Sequence, residues 1–297
     1  MKILLLGANG QVGGELRRSL FSLGDVVLAT RAGEIDGMAC ELADFDQPDS
    51  LPGLIERVSP DIVVNAAAYT AVDRAEQEFD AAFRANAEGP KRIVQACAER
   101  GTLLVHYSTD YVFDGDSAQA YREQDFPSPL GVYGASKLAG EEAVRAAAQH
   151  LIFRTSWVYG VRGHNFLLTM LRLGAEREEL RVVGDQVGSP TPAYLIADLT
   201  AEAIVRRLEP GTYHLTASGK TSWHGFAEAI MAKAVARDLL SRAPRVAAIP
   251  TSDYPTPAKR PAYSLLDNTK LSDALGINIP DWETGLDAVM DELSKQS

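Results

Sequence analysis

A chain whose first apolar run leads straight into glycines at a fixed spacing has few folds open to it. Ile3 to Leu6 is apolar, Gly7, Gly10 and Gly13 follow, and Val12, Leu16 and Leu20 then recur at helical spacing. The opening therefore predicts a strand, a tight turn and a helix. Glycine allows positive φ and close approach of the backbone to a pyrophosphate, while free N–H groups at a helix start face the anion. Gly10, Gln11 and Val12 are the residues expected nearest the phosphates. The spacing is Gly-x-x-Gly-x-x-Gly, one residue longer at the first interval than the usual dinucleotide turn. Taken alone it also describes a plain βα connection.

The rest of the chain supplies the matching context. Strand-like runs at Lys2–Leu6, Val26–Thr30, 61–65, Leu103–Tyr107 and Leu151–Arg154 alternate with helix-like stretches at Pro48–Val58, 79–100 and 133–150. Such alternation predicts an α/β fold with a doubly wound parallel sheet covered on both faces. After Gly160 the pattern becomes irregular, and nine of the 15 prolines, Pro190 to Pro280, lie there. The expected division is a dinucleotide-binding domain over 1–160, with a returning segment near 185–217 that includes a strand at Gly211–Ala217. Residues 161–297 then form mainly a smaller, irregular substrate-binding lobe.

With 297 residues, 46% of them hydrophobic, the chain can bury a substantial core. A formal charge of −11 argues against nucleic acid and anionic membrane as partners, since both demand clustered cations. Cys40 and Cys97 are the only cysteines, which excludes a disulfide framework and a cysteine zinc site. The five histidines share no spacing for a metal or a triad. No basic and apolar leader precedes the first strand, and no run reaches the roughly 18 to 20 apolar residues of a membrane span. The expected compartment is the cytoplasm.

Candidate site residues follow from position. Arg31 ends the second strand, where a carboxylate often holds a ribose and where a cation instead accommodates a 2′-phosphate. It favours NADPH, with NADH possible; the alternative is a solvated loop arginine. Glu41 and Leu42 are placed to flank the adenine. Ala66, Ala67 and Ala68 bring small side chains to the end of the next strand, where a cofactor passes. Tyr133 and Lys137 stand at i and i+4 on a predicted helix and share one face. An ammonium near a phenol favours the phenolate, which brings its pKa of about 10 towards working pH. Thr109 ends its strand with a hydroxyl for a substrate carbonyl. By itself the Tyr-x-x-x-Lys spacing describes a partly exposed helix face, but the order of glycine turn, Thr109 and Tyr133–Lys137 describes a redox site.

In that order the chain resembles the extended short-chain dehydrogenase/reductase family and its nucleotide-sugar enzymes, from Gly7 to Trp282. The blocks that carry the likeness are 65–73, 106–113, 154–159, 188–191 and Arg260-Pro261. The resemblance implies a Rossmann-type sheet and NAD(P)H-dependent reduction of the C4 ketone of dTDP-4-dehydro-L-rhamnose to dTDP-L-rhamnose. Thr109, Tyr133 and Lys137 would be catalytic. Gly7, Gly10, Gln11, Val12, Gly13, Arg31, Glu41, Leu42, Ala68, Tyr69, Thr70 and Lys137 would bind cofactor. Thr109, Asp110, Tyr111, Tyr133 and Trp157 would meet the nucleotide sugar, and Arg260 its diphosphate by bidentate contact. From pattern alone Trp157 is as readily a core residue.

Some members of that family place a glutamate after the Pro-Thr block for Mg²⁺ at a subunit contact, where this chain has Tyr194. Glu15 alone does not make a site for a hard cation, so no metal is assigned and the expected state is a monomer or homodimer. Two other functions compete. One is an NADP-binding regulatory subunit without turnover, against which the intact Thr109, Tyr133 and Lys137 argue. The other is a nucleotide-sugar epimerase or dehydratase, but Asp110 is followed by Tyr111 where a dehydratase wants a second acid.

Overall fold

The structure is a computed structural model that describes residues 1–98 and 100–296. Seven strands form one sheet: β1 (Lys2–Leu6), β2 (Asp25–Thr30), β3 (Glu41–Leu42), β4 (Ile62–Asn65), β5 (Leu103–Thr109), β6 (His150–Thr155) and β7 (Gly211–His214). Their spatial order is β7-β6-β5-β4-β1-β2-β3, and every neighbouring pair is parallel. The chain starts in the middle, builds outward to β3, then crosses to β4 and builds the other way. The order reverses between β1 and β4, and ligands of open α/β sheets bind at such a point, beyond the carboxyl ends of the strands.

Near-continuous apolar runs in the central strands fit burial on two faces. Side chains alternate across the sheet, so Ile3, Leu5, Ile62, Val64, Val105, Leu151 and Phe153 enter one core. Leu4, Leu6, Val63, Leu104 and Ile152 enter the other. Helices α1 (Gln11–Phe21) and, later, α5 (Ala193–Val205) cover the first face through Leu16, Leu20, Leu195, Ile196 and Leu199. Between them in sequence, α2 (Leu51–Val58), α3 (Gly89–Ala98) and α4 (Val132–Val144) close the second through Leu54, Ile55, Ile93, Cys97 and Val144.

Two expected helices differ from the observed ones. The stretch 79–100 is a helix at Phe79–Phe83, a π turn at Arg84–Glu88 and then α3, and residue 99 lies outside the described residues. The helix expected over 133–150 ends at Val144, and His150 opens β6. Alanine-rich composition favours helix there, but the Leu104 N–H is held by the Gln149 carbonyl at 3.1 Å and Leu104 pairs with His150. Sheet pairing overrides propensity.

The strand that returns to the sheet, β7, pairs with β6 from Gly211↔Leu151 to His214↔Arg154. Beyond β6 the chain makes small two-stranded sheets, Glu179–Val183 with Arg245–Ile249, Val187–Gly188 with Thr221–Ser222, and Val158–Tyr159 with Thr191–Pro192. Among the described residues no helix is long and apolar enough to cross a membrane.

His214 is fully buried, and burial together with the Arg154 guanidinium holds its imidazole neutral, down to about 3. Its ordinary value is 6.5, so below that pH the unfolded chain takes up a proton that the folded one refuses. Stability must fall on acidification. At about pH 5 this one group costs about 2 kcal/mol. We expect Tm to drop between about pH 7 and about pH 5, and His214→Gln to drop less. Equal drops in the two proteins would remove His214 as the cause.

Candidate active site

The glycine turn lies at the sheet's reversal point. Gly7 has φ of 76° and donates its N–H to the Ala29 carbonyl at 3.0 Å, which ties the turn to β2. A side chain there would meet the Ala67 nitrogen at 2.7 Å, and one at Gly13 would lie 2.0 Å from the Gly7 carbonyl oxygen. Only hydrogen fits in this cradle. The Gly10 N–H donates to the Gly7 carbonyl at 3.0 Å, and Gly10 caps α1 without a side chain, which leaves the helix start open to an anion. A cavity of about 340 Å³ opens here, bounded by Gly7, Asn9 and Gly10, by Arg31, and by Ala66 to Tyr69. The open helix start and the small side chains facing it suit the pyrophosphate of a dinucleotide.

Of the expected cofactor residues, Gly7, Gly10, Arg31, Ala68 and Tyr69 line the cavity, while Gln11, Val12 and Gly13 form the first turn of α1. Gln11 accepts from Asn165 at 2.9 Å. Arg31 is exposed and lies 3.4 Å from Asp46 and 4.0 Å from Asp44. Thr70, Glu41 and Leu42 are not on the wall: Glu41 takes an ion pair from Arg57 at 2.6 Å and Leu42 is exposed. Asn9, Ala43, Phe45 and Ala85 are wall residues that sequence reasoning missed. It missed Asn86 as well, whose amide clamps the Tyr69 backbone at 2.9 and 3.0 Å and reaches the Ser136 hydroxyl at 3.0 Å. That side chain ties the cofactor loop to α4.

The end of β5 and the start of α4 bring the catalytic candidates together. The Thr109 hydroxyl faces the Tyr133 phenol and donates to Asp110 at 3.0 Å. Asp110 is buried and also accepts from Ser156 at 3.0 Å. Burial pushes its carboxyl up, against hydrogen bonds from Ser264, Ser156 and Thr109. Tyr111 meets Tyr133 edge to face at 5.6 Å. Lys137 is buried and donates to the Tyr107 carbonyl at 2.6 Å.

Here the expectation of a phenol drawn down by the ammonium needs correction. Enclosure pushes Tyr133 up to about 12, and the largest opposing influence is the Thr109 hydroxyl. Lys137 is itself pushed down to about 8 by burial. Tyr133 is thus a protonated phenol at neutral pH, able to give a proton to an oxygen that gains charge.

Further out lies a cavity of about 580 Å³ whose walls include Phe166, Met170, Arg177, Arg181, Trp223 and Arg260. Arg260 is committed in a fork onto Asp73, at 3.1 and 2.8 Å. Its charge also favours the ionised form of Tyr111, against the burial that pushes that phenol up. Trp157 stands apart from the cavity wall, at φ of 48° and stacked on Trp223 at 3.5 Å with rings 6° from parallel. A side chain at Gly188 would strike it at 2.6 Å. Sequence reasoning missed Asp73 as the partner of Arg260 and Trp223 as the partner of Trp157. Among the described residues no group of three or more His, Cys, Asp or Glu could hold a metal.

Comparison with known proteins gives the same picture over the whole length. A family model described as RmlD substrate binding domain matches residues 1–295. A dTDP-4-dehydrorhamnose reductase of Burkholderia thailandensis is 48% identical over 307 residues, covering 100% of both chains. A crystal structure of a dTDP-4-dehydrorhamnose reductase from Clostridium acetobutylicum superposes with a TM-score of 0.90 at 35% identity, over 99% of both chains. Another, from Bacillus anthracis in complex with NADP, gives a TM-score of 0.89 at 36% identity, over 98% of this chain and 99% of that one. By matched length, identity and the site just described, the chain belongs to the family of dTDP-4-dehydrorhamnose reductases.

Proposed function

We propose that the protein reduces the C4 ketone of dTDP-4-dehydro-L-rhamnose to dTDP-L-rhamnose at the expense of NAD(P)H. The observation that carries this is the grouping of Thr109, Tyr133 and Lys137 beside a dinucleotide turn, in a chain matched end to end by such reductases. A reduced nicotinamide, when bound, supplies the hydride for the ketone carbon. Tyr133, protonated at working pH, gives the ketone oxygen its proton. The Thr109 hydroxyl, whose single proton is held by Asp110 at 3.0 Å without substrate, turns it to the same oxygen as charge develops. Lys137 orients the phenol side of the cofactor site and holds a ribose hydroxyl. Tyr111, Asp110 and Trp157 bound the sugar, and Arg260, with its fork held by Asp73, presents positive charge to the diphosphate. Side chains fill every proton and charge role, so the proposal assigns no metal.

NADPH is the proposed donor, because Arg31 stands beside the cavity and its ion pairs with Asp46 and Asp44 are loose and solvent-exposed. Exposed pairs of that kind are worth little, so the guanidinium is available to a 2′-phosphate. Arg31→Ala should raise KM for NADPH about tenfold and leave NADH nearly untouched. Equal effects on the two would return Arg31 to the solvated loop.

The test is oxidation of NADPH and of NADH with dTDP-4-dehydro-L-rhamnose generated in place from its precursor, followed by loss of reduced-nicotinamide absorbance. Oxidation that the Tyr133→Phe variant lacks is the expected result. Cofactor binding without oxidation would replace the proposal with a regulatory subunit.

A further inference from the structure

Helix α4 carries a third ionisable residue on the face of Tyr133 and Lys137. Tyr133, Lys137 and Glu141 recur at i, i+4 and i+8, which stacks them in one stripe. Glu141 is fully buried, where a carboxylate is rarely found unless paired. Its partner comes from β6: Arg154, 1% exposed, sets Nε and Nη2 on the two carboxylate oxygens at 2.9 and 2.8 Å. From the solvent side Arg145 donates to Oε2 at 2.6 Å.

On its other side Glu141 is one helical turn from Lys137. The ammonium of Lys137 rests on a neutral acceptor, the Tyr107 carbonyl, at 2.6 Å, and among the described residues it forms no ion pair. The groups that meet it are His106 and Tyr107 on β5, with Tyr133 one turn before it on α4. The His106 imidazole is kept neutral, chiefly by burial, and both phenols are protonated at neutral pH. Glu141 is the charged neighbour that remains. A buried ion pair is a poor way to gain stability, since apolar residues of the same volume often do as well. Its placement one turn from Lys137 calls for an electrostatic reason.

We infer that Glu141, with Arg154 and Arg145 as its counter-charges, is a positioning residue that keeps Lys137 protonated at the pH where Tyr133 and Lys137 work. The inference rests on the roles given to that pair in the proposed function. Burial drives the ammonium towards neutrality, and the Glu141 charge opposes it. A neutral amine would have one N–H fewer for the ribose and no charge to stabilise the site. Arg154 fixes the carboxylate in place and, with Arg145, trims its field.

The test reads Lys137 directly. Protein labelled at lysine side-chain carbons is titrated by NMR, the Lys137 signal being assigned with Lys137→Arg, and the pH profile of ketone reduction is measured alongside. Glu141→Gln should move the Lys137 titration, and the alkaline limb of kcat/KM, down by about one pH unit. Glu141→Asp keeps the charge and should restore most of that shift. Arg145→Gln removes an exposed counter-charge, leaves the buried fork intact, and should move both readings up by about a few tenths of a unit. If Glu141→Gln does not fold, Arg145→Gln decides. A Lys137 titration unmoved in Arg145→Gln and in every folded Glu141 variant overturns the inference. A titration that moves as stated, in a protein that reduces no ketone, supports it and sinks the proposed function instead.

Discussion

Replacing Tyr133 with phenylalanine is expected to lower turnover by about 10²- to 10⁴-fold, the usual worth of a positioned proton donor, while cofactor affinity stays within about twofold of wild type. The change removes a hydroxyl and nothing else. The ring keeps its edge-to-face contact with Tyr111 at 5.6 Å. The Thr109 hydroxyl keeps a partner, since it donates to Asp110 at 3.0 Å and accepts the Tyr111 N–H at 3.2 Å. No buried polar group is orphaned, so the loss reports proton transfer and not collapse of the site. Single-turnover oxidation of bound NADPH gives the rate, and a fluorescence titration of NADPH gives the affinity. Turnover within a few-fold of wild type would take Tyr133 out of the acid role and leave Thr109 or an ordered water to fill it.

What the sequence made legible was local. The strand, turn and helix at Gly7 to Gly13, the alternation of strands with helices, and the shared face of Tyr133 and Lys137 all depend on residues within a few positions of one another. The extra turns of helix expected after Val144 show the limit. Composition at 145–149 favours helix, yet β6 must begin at His150 to pair with β5, and no property of the segment itself announces that.

Long-range partners were the other blind spot. Arg260 was legible as a cation with a diphosphate-binding geometry, but its fork onto Asp73 joins residues 187 apart in sequence. From pattern Trp157 was as readily a core residue as a site residue, and its stacking partner Trp223 was not legible there. The protonation of Tyr133 followed from enclosure, which spacing does not report. Glu141 was within reach: it continues the i, i+4 series that singled out Lys137, and only its burial and its partner on β6 needed the fold.

The turn offers the other large effect, and it separates space from flexibility. In Gly13→Ala the added carbon would lie 2.0 Å from the Gly7 carbonyl oxygen, 2.9 Å from its carbon and 3.0 Å from the Ala8 Cα. All three are backbone atoms and cannot swing aside. Helix α1 must therefore retreat, although Leu16 and Leu20 fasten it in the core with no exposed surface. Overpacking of this kind costs about 1 to 3 kcal/mol of stability. The cradle loses more, because the N–H groups at the start of α1 no longer converge on one anion. Losing about two charge-assisted hydrogen bonds predicts a fall in NADPH affinity of about 100-fold or more. Gly14→Ala is the control on the same helix: its new carbon meets only the Arg162 side chain at 3.9 Å, and a glycine-to-alanine change inside a helix stabilises by about 0.5 to 1 kcal/mol. Thermal unfolding with and without NADPH should thus move the two variants in opposite directions. Wild-type NADPH binding by Gly13→Ala would mean that the approach of α1 to Gly7 plays no part in holding the cofactor.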